Sequence, residues 1–160
     1  MSMYIRRYQL GEETALWALF YNTVHTINAQ DYSTEQLAVW ASVNRDMASW
    51  SERLKNKNPF VVMIDHTIVG FAELANNGYI DCFYTAHQWQ RKGIGSALLN
   101  HIEHEALAMG IRRLFTESSI TALPFFKAKG FSIIQAQMIK HCGIDFKNYA
   151  MEKIIVTSQQ

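Results

Sequence analysis

The sequence predicts an α/β fold of the α+β kind, a mixed and mostly antiparallel central sheet flanked by helices. Three observations carry that expectation. Residues 60–64, 68–74 and 79–86 are dense in β-branched and aromatic side chains and are parted only by Asp65-His66-Thr67 and Asn76-Asn77-Gly78, the pattern of an antiparallel meander. The run 113–117 follows an intervening amphipathic helix, so it returns parallel to the meander by a right-handed crossover. The first 58 residues carry mainly helical stripes instead.

Taken in order, 4–8 form a short strand, and 12–27 form a helix with Leu16, Trp17, Phe20, Val24 and Ile27 on one stripe and Glu12 and Glu13 in the first turn. Ser33-Thr34-Glu35-Gln36 reads as a capping box ahead of Leu37 and Trp40, and Asp46 caps another short helix through Trp50 and Leu54. Pro59 closes this helical part, and the meander follows. From Ala97, Leu98, Leu99, Ile102, Ala106 and Met109 fall at spacings of three and four, which predicts a helix ended by Gly110. A short helix over 121–129 and two strands over 131–140 and 149–156 complete the fold, ahead of a polar tail at 157–160.

With 160 residues and 49% hydrophobic content, one globular domain accounts for the chain. Fifteen basic and 14 acidic residues are mixed along it and leave a net charge of +1, which excludes the electrostatic footprint of a general nucleic-acid binder. Two cysteines, Cys82 and Cys142, give neither a disulfide framework nor a zinc pattern and suit a reducing interior. No apolar run is long enough for a signal peptide or a membrane span, so a cytoplasmic protein without a membrane partner is expected.

The chemistry concentrates at Gln90-Arg91-Lys92-Gly93-Ile94-Gly95-Ser96, between a buried strand and a helix. Two glycines let the backbone approach a ligand, while the unpaired N–H groups and dipole of the first helical turn favour an anion. A phosphate or pyrophosphate is the expected guest. A P-loop is excluded because Gly-x-x-x-x-Gly-Lys-Ser/Thr is absent, and a dinucleotide turn lacks its third glycine.

The hexad Gln90 to Gly95, joined by Leu123-Pro-Phe-Phe-Lys-Ala-Lys-Gly-Phe131, resembles the GNAT superfamily of N-acetyltransferases, whose acetyl-CoA signature is Gln/Arg-x-x-Gly-x-Gly/Ala and whose later helix usually ends Phe-Tyr-x-x-x-Gly-Phe. The likeness spans nearly the whole of 1–160, read as a single N-acetyltransferase domain. Val24-His25, Asp31-Tyr32, Glu35-Gln36-Leu37, Trp40, Gly70-Phe71-Ala72 and Asn148 to Lys153 look most like the YafP-like branch.

The resemblance implies an acetyl-CoA donor. Backbone groups of Phe83, Tyr84 and Thr85 would pair with the pantetheine arm where two strands splay, the amides of Arg91, Lys92, Gly93, Ile94, Gly95 and Ser96 would hold the pyrophosphate, and Gln90 would join them in the cofactor site. It also implies cofactor contacts at Ser118, Ser119, Phe125, Phe126 and Lys129. Direct transfer needs a base and a proton for the departing thiolate. Asp81 and Glu73 are the base candidates, because carboxylates in apolar strands are costly unless hydrogen-bonded or functional. The family's acidic tyrosine falls at Phe126, which has no proton to give, so either Tyr84 or a water takes that role, or the thiolate leaves unaided and picks up its proton later, as a thiol pKa of about 8.5 allows. By the period of two, Tyr79, Asp81, Phe83 and Thr85 share one face that lines an acceptor cavity, to which His25, Tyr32 and Trp40 are further candidates.

Plainer readings stand beside these. Asp81 and Glu73 could each serve hydrogen bonding alone, and His25, Tyr32 and Trp40 packing alone. His101-Ile-Glu-His104 lacks the order of a zinc protease and reads as solvent-facing, so no metal is expected, and Cys82 reads as a small core residue rather than a nucleophile. The acceptor is a small-molecule or peptide amine, whether a peptide α-amine, a lysine, a polyamine, an aminoglycoside or another metabolite. The change at Phe126 keeps open a module that binds or senses acyl-CoA without turnover, and a nucleotide-binding domain of other chemistry is the third reading. Exposed final strands allow a homodimer.

Overall fold

The computed structural model describes residues 2–44 and 46–156, so the polar tail at 157–160 lies outside the described residues. Among the described residues seven strands form one sheet in the order β1-β2-β3-β4-β5-β7-β6, where β1 is Met3–Arg7, β2 Phe60–Ile64, β3 Thr67–Leu74, β4 Tyr79–Thr85, β5 Arg113–Ser119, β6 Ser132–His141 and β7 Ile144–Ile154. Every neighbouring pair is antiparallel except β4 with β5, as the crossover through the main helix requires.

The helices are α1 Glu13–Thr26, α2 Thr34–Trp40, α3 Met47–Lys57, α4 Ile94–Ala108 and α5 Leu123–Ala128. Strand β2 is buried along its whole length and serves two cores by its period of two. Phe60, Val62 and Ile64 face Leu98, Leu99 and Ile102 of α4 together with Phe126 of α5. Val61 and Met63 face Leu16, Phe20 and Val24 of α1 and Trp50 and Leu54 of α3. The capping box at Ser33 and Gln36 forms in both directions, and Asp46 accepts from the Ala48 N–H. Among the described residues no helix is long and apolar enough to cross a membrane.

Four expectations are corrected. Helix α4 begins at Ile94 rather than Ala97, because Gly93 at φ 81° turns the chain directly into the helix and Ile94 joins the core at 1% exposure. Met109 is 46% exposed and lies beyond the helix end, outside the buried stripe. His101 does not face solvent alone; its ring packs edge-on against Phe60 at 4.8 Å, and burial lowers its pKa. Strand β7 starts at Ile144, not 149, because Cys142 at φ 49° and Gly143 at φ 79° make a two-residue hairpin turn that pairs His141 with Ile144.

Candidate active site

The site is built on a break in the sheet. The parallel ladder of β4 with β5 has two pairs, Tyr79 with Phe115 and Ile80 with Thr116, and then stops. Beyond Ile80, residues 81–85 have no strand partner on the β5 side. On its other side β4 pairs with β3, but the register shifts between Phe71 and Glu73, opposite Cys82 at φ 51°. A bulge adds one residue and reverses the side-chain parity after it.

That reversal corrects the expected shared face. Phe83 packs in the α4 core with Ile80, its ring 5.4 Å from both Phe125 and Phe126. Tyr84 turns to the opposite core, 4.9 Å from Phe20 and 6.0 Å from Phe71. Asp81, Tyr79 and Tyr84 therefore line one cavity, and Phe83 does not.

The glycine turn sits at the outer end of the splay. Gly93 caps α4 without a side-chain hydrogen bond, and a Cβ built on it would meet nothing within 4 Å. The first helical bond inside the turn is Ala97 N–H to Gly93 O at 3.1 Å. Among the described residues, the backbone N–H groups of 90–96 have no hydrogen-bond acceptor. Arg91 and Lys92 are exposed beside them, Arg91 at φ 59°. The Gln90 side chain points the other way: its Nε2 donates to Thr85 O at 2.8 Å and Ala86 O at 3.3 Å, which fastens the turn to the end of β4. Gly95 packs closely, since a Cβ there would come within 3.1 Å of the Phe125 ring, which would have to shift by a few tenths of an ångström.

Phe125 is half-buried below this turn, with the Lys129 ammonium 6.0 Å from its ring. Phe126 is 2% exposed and locked among Phe83, Phe125 and Phe131, so it contributes to the core rather than to an open surface. Ser118 is buried and its hydroxyl donates to Ser119 O at 2.9 Å, while Ser119 Oγ accepts from Ala122 N–H at 3.0 Å and lines the cavity.

The cavity, of about 240 Å³, is walled by Tyr32, Trp40, Tyr79, Tyr84 and Phe146 and carries Asp81, Glu117, His141 and Lys147. Tyr32 is fully engaged: it donates to Lys147 O at 2.8 Å and accepts from Ile120 N–H at 2.9 Å. Trp40 Nε1 donates to Tyr84 Oη at 3.1 Å and packs edge-on against Tyr32 at 5.1 Å. Tyr79 Oη donates to Glu117 at 3.3 Å. Burial pushes the Tyr84 and Tyr32 hydroxyls above the usual range, and burial followed by the charge of Asp81 does the same to Tyr79. All three keep their protons at neutral pH. His25 is not brought to this cavity; its Nε2 lies 2.7 Å from Ala41 O and its ring is 4.2 Å from Tyr21.

The two candidate bases meet at a residue that the sequence reading missed. Arg53 of α3 donates Nε to Glu73 Oε2 at 2.9 Å and Nη2 to Glu73 Oε1 at 2.7 Å, and the same Nη2 lies 3.0 Å from Asp81 Oδ2. Glu73 is 3% exposed, whereas the Asp81 side chain is 45% exposed. Asp81 Oδ1 also accepts the Cys82 N–H at 2.8 Å, across the bulge. Hydrogen bonding to Glu73 raises the Arg53 pKa, so the guanidinium is permanently charged. Glu73, Asp81 and Cys82 offer ligand atoms within 4.8 Å of one another, a spacing that could hold a metal ion, and the Arg53 guanidinium contacts all three. Burial pushes the Cys82 thiol well up, which leaves it protonated. A partial signal for Arg53 existed: Glu73 in an apolar strand called for a cationic partner, but Arg53 and Lys57 both flank the buried Trp50–Leu54 stripe of α3, so spacing alone did not choose between them.

Comparison with known proteins gives consistent matches. The Acetyltransferase (GNAT) domain family matches residues 28–153. The uncharacterized N-acetyltransferase YafP of Escherichia coli strain K12 is 33% identical over 147 residues, 92% of this chain and 93% of its own length. A GCN5-related N-acetyltransferase structure from Rhodopseudomonas palustris superposes with a TM-score of 0.91 at 27% identity, covering 97% of each chain. The PaiA N-acetyltransferase of Thermoplasma acidophilum, crystallised with coenzyme A, shares the fold at a TM-score of 0.78 and 20% identity over 97% of this chain and 100% of its own.

Proposed function

The chain belongs to the GNAT family of acetyltransferases, as a YafP-like member, and from that premise we propose that it moves an acetyl group directly from acetyl-CoA to a primary amine. The observation that carries the reading is the row of acceptor-free N–H groups over 90–96, opening onto empty space at Gly93 and flanked by Arg91 and Lys92. Such a row suits a pyrophosphate. The donor supplies a thioester-activated acetyl group, and the stretch of β4 without a β5 partner offers backbone groups of Phe83 and Tyr84 and the N–H of Thr85, whose carbonyl already accepts from Gln90 and Thr23, to its pantetheine arm in the manner of an added strand.

The chain's own residues then have distinct tasks. Asp81, the more exposed carboxylate and the one that lines the cavity, takes the ammonium proton, directly or through a water. Glu73, buried under Arg53, fixes the guanidinium that in turn holds Asp81. Tyr84, its oxygen already occupied by the Trp40 N–H, keeps its proton and donates a hydrogen bond to the departing sulfur. The protonated Cys82 gives no thiolate for an acyl-enzyme route, which favours direct transfer. Ser118, Ser119, Phe125 and Lys129 flank the donor's path, with Phe126 supporting Phe125 from beneath. Two free cysteines fit a cytoplasmic setting.

Calorimetric titration with acetyl-CoA beside ATP and NAD tests the binding half, and release of free thiol across an amine panel tests the transfer. Micromolar binding of acetyl-CoA alone with amine-dependent thiol release is the expected result. Binding without release for any amine converts the reading to a sensing module, the alternative that the missing hydroxyl at Phe126 favours. Competition by ATP or NAD but not coenzyme A overturns both.

A further inference from the structure

We propose that the acceptor amine is carried on an elongated apolar body, which lies in a second hollow continuous with the acceptor cavity. The inference rests on the transfer reading above and adds the class of acceptor. The sheet face beside the cavity carries an open hollow of about 490 Å³ that includes Tyr79, Phe115, Ile134 and Ala150, and no helical residue lines it. Tyr79 and Glu117 belong to both spaces, so the two form one trough with the Tyr79 ring as the step between them, 5.2 Å from Phe115.

The chemistry along the trough is graded. At the cavity end, which His141 and Lys147 also line, Asp81 and Glu117 are the carboxylates against which an ammonium would sit, between aromatic walls. Past Tyr79, Glu117 is the only charged residue lining the hollow among the described residues, and it is turned to the junction by Gln137 Nε2 at 2.6 Å and Tyr79 Oη. Ile134 sits at the register shift of β6, half exposed at 50%, an aliphatic side chain with solvent where a substrate's hydrocarbon would cover it. An amine with a short polar body would leave these surfaces wet, whereas one with several methylenes would cover them.

A homologous series of n-alkylamines from propylamine to octylamine, beside 1,4-diaminobutane, tests the proposal through kcat/KM for thiol release. The same amines are titrated calorimetrically into the coenzyme A-loaded protein, so the answer does not depend on turnover. We expect kcat/KM and affinity to rise about twofold per methylene, since full burial gives roughly fourfold and an open trough covers about half of each group. Ile134→Asp should flatten that slope. Met138→Asp, on the same strand, 64% exposed and lining neither space, should keep it. A slope of zero in both measurements, or a preference for the diamine, overturns the apolar body while leaving amine transfer standing. Absence of thiol release with every amine, together with a chain-length slope in binding, overturns the transfer and retains the trough.

Discussion

Arg53 Nη2 lies 3.0 Å from Asp81 Oδ2, so a helix from the N-terminal third fixes a carboxylate on the strand where the sheet opens. The same guanidinium neutralises the buried Glu73 on the neighbouring strand. Arg53→Ala should therefore destabilise the fold by about 2–3 kcal/mol, below the roughly 3–5 of a fully buried pair because a third of the side chain is exposed. Denaturant unfolding measures it. Replacing Arg53 and Glu73 together by leucine should restore most of the stability without restoring turnover, which separates holding the fold from positioning Asp81. A single-substitution cost under about 1 kcal/mol would show the pair to be idle.

Asp81→Asn keeps the shape of the side chain and removes its ability to take a proton. Coenzyme A affinity should stay within a factor of about two, and kcat should fall on the order of 10²–10⁴, the range for loss of a general base. Rates equal to the unmodified protein across pH, with an amine that it acetylates, would take the base role away from Asp81.

Gly93→Asp strains a backbone held at φ 81° and projects a negative charge into the space before the free N–H row. Coenzyme A binding should weaken by roughly 100-fold, about 2.7 kcal/mol, without a comparable loss of stability. Gly93→Ala separates the two causes. It adds the strain without the charge and should retain most of the affinity.

The two thiols should behave differently. Cys142 is exposed at the hairpin, while the Cys82 thiol is held protonated by burial first and by the nearby Glu73 and Asp81 charges second. One thiol per folded chain should react with a colorimetric disulfide at pH 8, none in Cys142→Ser, and the second only on unfolding. The raised folded pKa also has a sign: its stabilisation is present below the unfolded thiol value of about 8.5 and is lost as pH climbs above it. Cys82→Ala should flatten that alkaline decline.

Much of the fold was legible because its elements carry strong periods. The meander announces itself through Phe60 to Ile64 and the Asn76-Asn77-Gly78 turn, and α4 through Leu98, Leu99 and Ile102, all at most 1% exposed. The glycine turn at the mouth of α4 was legible too, since Gly93 at φ 81° leads straight into the helix. What failed were features set by tertiary contact. Nothing local in Asp81-Cys82-Phe83 marks a left-handed residue, so the parity change that sends Phe83 and Tyr84 to opposite cores could not be read from alternation. Strand β7 was shortened because Asp145, Lys147 and Asn148 interrupt the apolar run, although Asp145 and Lys147 point to solvent beside an exposed β6. His25 was drawn to the site by the polar loop 28–32 that it flanks, and the Ala41 carbonyl claims it instead.

The two-pair seam between β4 and β5 has a mechanical meaning. It leaves the sheet as two rafts, β1 to β4 and β5 to β7, stitched by a short stretch of parallel ladder and by the Thr116 hydroxyl bonding to Ile80 O at 2.8 Å. A chain lying in the split would act as the missing rungs and make the rafts move as one body. Hydrogen exchange should then report two separate opening energies in the free protein, with the β5–β7 amides exchanging at their own rate, and a single shared one once coenzyme A is bound.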